Sequence, residues 1–179
     1  MIVEFILVGS AWDNYGKSRR MKNRMAAKLC IRRATLADAE AISHVIIQTL
    51  KEVNAKNYPD SVIHEVIKNF SKEQVAAKMK QRKVFVITEK NYIIGTASLE
   101  GDLVRTVFVL PSKQGKKIGS SLMHYLEEVA RKEHIPCLTV SSSITAEGFY
   151  QNLGYSVLRN EYYGEERTII MEKKLSAIP

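Results

Sequence analysis

The sequence predicts an α/β domain in which a mixed, mostly antiparallel central sheet is flanked by helices. Three observations predict it. Short apolar and β-branched runs alternate with stretches of helical periodicity in the order β-α-α-β-β-β-α-β-α-β-β. The runs at 84–88, 93–99 and 103–110 are separated by tight turns at Lys90-Asn91 and Gly101-Asp102, which makes an antiparallel meander. The run at 137–140 follows a helical stretch at 117–133, and a strand-helix-strand unit of this kind pairs its strands in parallel.

The elements follow in order. Residues 30–33 read as a short strand. Thr35 suits a helix N-cap with Asp38 in the first turn, where negative charge is favoured, and Ala39, Ile42, Val45, Ile46 and Leu50 recur at helical spacing. The stretch 54–60, with Pro59, breaks that helix. Amphipathic stretches follow at 60–69 and 72–81, the second opened by Ser71 with Gln74 three residues on, a capping-box pattern. After the meander, Ile118, Leu122, Leu126 and Val129 form a helical stripe. Residues 145–153 read as a short helix stopped by Gly154 in a left-handed cap, and 155–159 and 168–173 as final strands around a loop at 160–166.

The chain has 179 residues, enough for one domain with a sizeable core. Its 45% apolar and 26% charged content excludes a disordered or collagen-like chain. No apolar run approaches the roughly 20 residues that span a bilayer. Cys30 and Cys137 are too few for a disulfide framework or a thiolate zinc site, and no His/Cys spacing suggests a metal, so a reducing cytoplasmic setting without metal is expected. Half of the net charge of +8 sits on residues 1–28, where six Lys and Arg face Glu4 and Asp13. Their apolar run precedes the basic residues, the reverse of a secretory signal. Residues 1–28 therefore read as a basic extension, with Met21 or Met25 as a shorter start, and 29–179 as the single functional domain.

The chemistry concentrates between Val107 and Ser121. An apolar strand passes through a Pro turn into a helix whose start carries Gly115, Gly119 and the lysines Lys113, Lys116 and Lys117. A helix start presents unpaired N–H groups and partial positive charge, and glycine lets a ligand approach, so the place suits a phosphate or pyrophosphate. A P-loop is excluded because Ser120, not Lys, follows Gly119, and a Rossmann fingerprint because it needs three glycines spaced G-x-G-x-x-G and the segment has only Gly115 and Gly119.

Gln114-Gly115-Lys116-Lys117-Ile118-Gly119 resembles the acetyl-CoA loop of the GNAT N-acetyltransferases, Gln/Arg-x-x-Gly-x-Gly/Ala, with Lys117 in place of the middle glycine. Ser143 to Ala146, and Phe149-Tyr150 followed by Leu153-Gly154-Tyr155, resemble the family's second motif, with Ser143 where many members have Asn. The resemblance spans about 29–175. It implies a GNAT-like fold and direct acetyl transfer from acetyl-CoA to an amine. Main-chain groups of Val107, Phe108 and Val109 would meet the pantetheine arm, one of them polarising the thioester carbonyl. Gln114, Gly115, Lys116, Lys117, Ile118, Gly119 and Ser120 would cradle the pyrophosphate, and Ser143 would touch the cofactor or cap its helix. Tyr150 would protonate the leaving thiolate, since a phenol of pKa about 10 stays protonated at neutral pH. Phe149 is expected to take the core-facing position of that pair.

The amine must lose a proton, and Glu100, with Asp102 beside it, is the first candidate base. The family's acceptor region would place Tyr58, Asp60 and Glu65 opposite Glu161, Tyr162, Tyr163, Glu165 and Glu166, and carboxylates with aromatics suit a cationic amine. Tyr58, Tyr162 and Tyr163 are the substrate-binding candidates, and the acceptor is expected to be a small molecule or a peptide. His64 reads as a helix-surface residue. Two other functions fit the same residues: an acyl-CoA-binding module without turnover, and a tRNA-directed acetyltransferase using the basic arm. The arm carries no aromatic-rich RNA-binding motif, so nucleic acid is not the expected partner. The reading admits a homodimer and no membrane.

Overall fold

The computed structural model describes residues 29–53, 55, 60–163 and 166–176, with the side chains of Val62, Tyr163 and Glu166 outside the description. The basic extension 1–28 and Tyr58 also lie outside the described residues.

Among the described residues, seven strands form one sheet in the order β1-β2-β3-β4-β5-β7-β6. They are β1 Leu29–Arg33, β2 Lys83–Glu89, β3 Tyr92–Glu100, β4 Leu103–Val109, β5 Cys137–Ser142, β6 Ser156–Tyr163 and β7 Glu166–Lys174. The helices are α1 Ala39–Glu52, α2 Asp60–Lys68, α3 Lys72–Gln81, α4 Ile118–Lys132 and α5 Glu147–Asn152. Three helices thus separate β1 from β2, where the expected order counts two. Only β4 and β5 pair in parallel; every other neighbour is antiparallel. The meander is β2, β3 and β4, and its first turn puts Lys90 and Asn91 at φ 51° and 68°, a two-residue geometry whose twist matches the strands.

Local signals set the helix starts. Thr35 and Asp38 form a capping box, although its first turn is a 3-10 turn and α1 proper begins at Ala39. Ser71 Oγ accepts from the Gln74 N–H at 3.3 Å and opens α3. Gly154 closes α5 at φ 85°.

Each sheet face carries its own core. Ile42, Val45, Ile46 and Leu50 of α1, with Phe70 and Val75, pack on Val84, Val86 and Phe108. Leu122, Met123 and Leu126 of α4 pack on the other face against Phe85, Ile87, Val107, Val109, Leu138, Val140 and Met171. Burying each large side chain contributes about 1.5–3 kcal/mol, and β4 is anchored on both faces, by Phe108 on one and Val107 and Val109 on the other. The last hairpin is longer than expected: β6 and β7 pair from Ser156↔Glu172 to Tyr163↔Glu166, so Glu161, Tyr162 and Tyr163 lie on a strand rather than in a loop.

Candidate active site

The site begins as a gap in the sheet. β4 pairs with β5 only at Leu103↔Thr139 and Val104↔Val140, whereas β5 continues beside β7 as far as Ser142. Beyond Val104 the two parallel strands part. The cause is a bulge in β4, where the register against β3 shifts between Thr96 and Ser98 and Thr106 takes φ 48°. Positive φ is strained for a β-branched residue. Hydroxyl contacts hold the strain: Thr106 Oγ1 lies 2.6 Å from Ser98 Oγ, which donates to the Arg105 carbonyl at 3.1 Å.

Backbone alternation decides which groups face this fork. The Leu110 N–H donates to the Ile94 carbonyl at 2.9 Å, so the main-chain groups of Leu110 and Phe108 point to β3. Those of Val107 and Val109 point into the fork. The expected trio of donors therefore reduces to two, because the sheet uses Phe108. The Val109 carbonyl is already engaged, 3.1 Å from Thr49 Oγ1 and accepting from Gln114 Nε2 at 3.1 Å. Gln114 thus braces the loop against β4 through its side chain. Thr49, fully buried on α1, was not legible as a site residue, since a threonine on an apolar stripe carries no chemical signal.

The loop enters α4 through one 3-10 turn, Pro111–Lys113, then two left-handed residues, Gly115 at φ 72° and Lys117 at φ 60°. The family pattern's middle glycine falls on Lys117, and the backbone there explains the preference: only glycine adopts this region without cost. No side chain among the described residues caps α4. Its first internal bond is from the Ser121 N–H to the Lys117 carbonyl at 2.9 Å, which leaves the N–H groups of Ile118, Gly119 and Ser120 without helical partners. Lys113 pairs with Glu89 and Lys116 Nζ donates to the Ser112 carbonyl at 3.0 Å. The Lys117 ammonium has no partner among the described residues.

The third wall is α5. A Cβ on Gly119 would lie 3.3 Å from Phe149 Cζ and 3.8 Å from Val109 Cγ2, so the starts of α4 and α5 and the end of β4 meet at this glycine. Here the structure corrects the expected facing of Phe149 and Tyr150. Phe149 is half-buried over Gly119, while Tyr150 is fully buried, its ring 5.7 Å from that of Tyr155. The slot that Gly119 leaves accommodates Phe149, and the short helix then turns Tyr150 inward. The Tyr150 hydroxyl has no hydrogen-bond partner among the described residues. Burial, and secondarily Tyr155, push its pKa well above that of an exposed phenol, so it is a proton donor throughout the neutral range. Ser143 is buried at the end of β5, with its Oγ 3.0 Å from Thr145 Oγ1 rather than capping the following turn.

Other candidates fall away from this convergence. Glu100 ends β3 opposite Leu103, which lies about 20 Å along β4 from Val109 at the usual rise. Its Oε2 lies 3.3 Å from Arg82 Nε and 3.4 Å from Arg105 Nε, so it is an ion-pair anchor rather than a base. The Asp102 carbonyl accepts from the Thr139 N–H at 2.9 Å and locks the start of the β4–β5 pair. His64 Nδ1 donates to the Asp60 carbonyl at 2.8 Å on the surface of α2. Glu65 and Glu161 pair with Lys68 and Arg159, which offsets the negative charge expected for a cationic acceptor. Tyr162 is 67% exposed on β6; with Tyr58 and the Tyr163 side chain outside the described residues, it is the one member of that trio whose side chain is described.

Comparisons with known proteins agree with this geometry. Residues 40–175 match the family model described as an acetyltransferase (GNAT) domain. An uncharacterised N-acetyltransferase of Chlorobaculum tepidum is 27% identical over 150 residues, covering 79% of this chain and 84% of that protein. A GCN5-related N-acetyltransferase structure from Rhodopseudomonas palustris has a TM-score of 0.76 at 22% identity, over 86% of this chain and 100% of the other. The PaiA N-acetyltransferase of Thermoplasma acidophilum, solved with coenzyme A, has a TM-score of 0.72 at 22% identity, over 82% and 99%. With the matched model extending from α1 to the end of β7, the chain belongs to the GNAT acetyltransferase family.

Proposed function

We propose that the chain is an acetyl-CoA-dependent N-acetyltransferase acting on an amine of a small molecule or peptide. The observation that carries this reading is the convergence of an open β4–β5 fork, a start of α4 without a side-chain cap and a buried Tyr150 hydroxyl, the last two without partners among the described residues. The residues fit the cofactor: the fork is an unpaired main-chain edge for an amide-bearing arm, and Gly119 keeps the helix start free of a Cβ. The coenzyme A complex of the Thermoplasma acidophilum relative supports the same assignment.

Bound acetyl-CoA supplies the activated acetyl group. The N–H groups of Ile118, Gly119 and Ser120, with the backbone at Gly115 to Lys117, hold the pyrophosphate, and the Lys117 ammonium adds positive charge. The Val107 and Val109 N–H groups bind the pantetheine arm and the thioester oxygen, an arrangement worth roughly 3–4 kcal/mol in comparable oxyanion holes. The amine nitrogen bonds to the acetyl carbon as the carbon–sulfur bond breaks. Tyr150 gives its proton to the departing sulfur, and the surplus amine proton passes to solvent, from which Tyr150 is reprotonated.

Calorimetric titration with acetyl-CoA, followed by a thiol-release assay over an amine and peptide panel, tests the proposal. Saturable binding with acceptor-dependent release is expected. Binding without release across the panel would identify a non-catalytic acyl-CoA module, and absence of binding would remove the assignment.

A further inference from the structure

The two edges of the sheet differ in protection. β1 is five residues long and ends in Arg32 and Arg33, the short, charged kind of strand that resists pairing with another chain. β6 ends the opposite edge, is eight residues long, and contains neither Lys nor Pro. Val157, Leu158 and Tyr162 are 44%, 50% and 67% exposed along it. A bulge between Val157 and Arg159 confines regular pairing to the segment around Asn160.

That segment is self-complementary. A two-fold axis perpendicular to the sheet through Asn160 sets β6 antiparallel to its own copy. Arg159 then faces Glu161 of the copy and Leu158 faces Tyr162, and the symmetry repeats each pair. Arg159 and Glu161 share one face of the sheet, because they pair with Ile170 and Thr168 on β7. Within one chain Arg159 Nη2 already lies 2.7 Å from Glu161 Oε1, so two copies place four alternating charges in one square. Opposite charges and an apolar–aromatic pair directly across two strands are the stabilising combinations of an antiparallel ladder.

We infer that β6 is a homodimer interface, pairing two copies antiparallel about Asn160 into one continuous sheet. The partner is a second copy of this chain, because the register that buries the exposed apolar residues also matches the charges. The inference is independent of the acetyl-transfer proposal.

Sedimentation velocity of the full chain through the micromolar range tests it, with thermal melts to confirm that the variants fold. A concentration-dependent dimer is expected. Arg159→Glu or Glu161→Arg alone sets like charges across both symmetric contacts and should weaken the dimer by at least about tenfold. The double charge swap should restore it to within about threefold. Hydrogen exchange along 157–162 should slow as concentration rises. A monomer at every concentration would overturn the inference, as would a dimer indifferent to the swaps. So would a monomer in which 157–162 stay protected on dilution, since the chain's own residues would then cover the edge.

Discussion

Replacing Tyr150 with phenylalanine separates a catalytic acid from a core aromatic in one molecule. The ring is fully buried and its hydroxyl partnerless among the described residues. A buried hydroxyl without a partner costs about 1–3 kcal/mol, so Tyr150→Phe should stabilise the free protein by about 1 kcal/mol, or about 2–4 °C in melting temperature for a chain of this size. Turnover should move the other way, falling about 100-fold or more, the usual contribution of a positioned proton donor. Coenzyme A should narrow the stability difference, because its sulfur supplies the missing partner in the parent protein alone. The assays are thermal melts with and without coenzyme A, and steady-state thiol release. Alkaline pH adds a signed check. Burial raises the folded pKa of Tyr150, so the unfolded chain ionises first; stability is complete below about pH 10 and declines above it. That decline should be shallower in the variant. A variant that melts lower than the parent and keeps full turnover would refute the reasoning.

Three further outcomes follow from the same geometry. Lys117→Gly removes left-handed strain at φ 60° and should stabilise the fold by about 1 kcal/mol in urea titration, whereas Lys117→Ala should not. Gly119→Val pushes side-chain atoms into Phe149, already 3.3 Å from a single Cβ, and should cost about 1–3 kcal/mol of stability; calorimetry should show weaker acetyl-CoA binding. Asp38 accepts from Arg32 Nη1 and Nη2 at 2.7 and 2.8 Å and from the Thr35 N–H at 2.7 Å, and the guanidinium holds its carboxyl well below the usual range. Its contribution is therefore complete above about pH 4 and lost as pH falls further, so Asp38→Asn should lose about 1 kcal/mol at neutral pH and show a flatter acid limb in pH-dependent urea titrations.

The strands in chain order, the meander, the parallel β4–β5 unit and the capping residues Thr35 and Ser71 were legible in the sequence, although the expected order counted one helix too few between β1 and β2. They rest on periodicity, capping residues and turn residues, which act over a few positions. The loop from Gln114 to Gly119 was legible for the same reason, as a contiguous pattern whose donors are main-chain. Tertiary structure decided the rest. Which of Phe149 and Tyr150 faces inward depends on the slot at Gly119, thirty residues earlier in the chain. The fork depends on a bulge at Thr106 that only the register against Ser98 produces. Glu100 reads as a base in isolation and becomes an anchor once Arg82 and Arg105 close on it. Local patterns specify backbone conformation because their energies are local; the burial of a hydroxyl, the partner of a carboxylate and the opening of a strand pair are set by residues distant in sequence, and exist only when the chain has closed on itself.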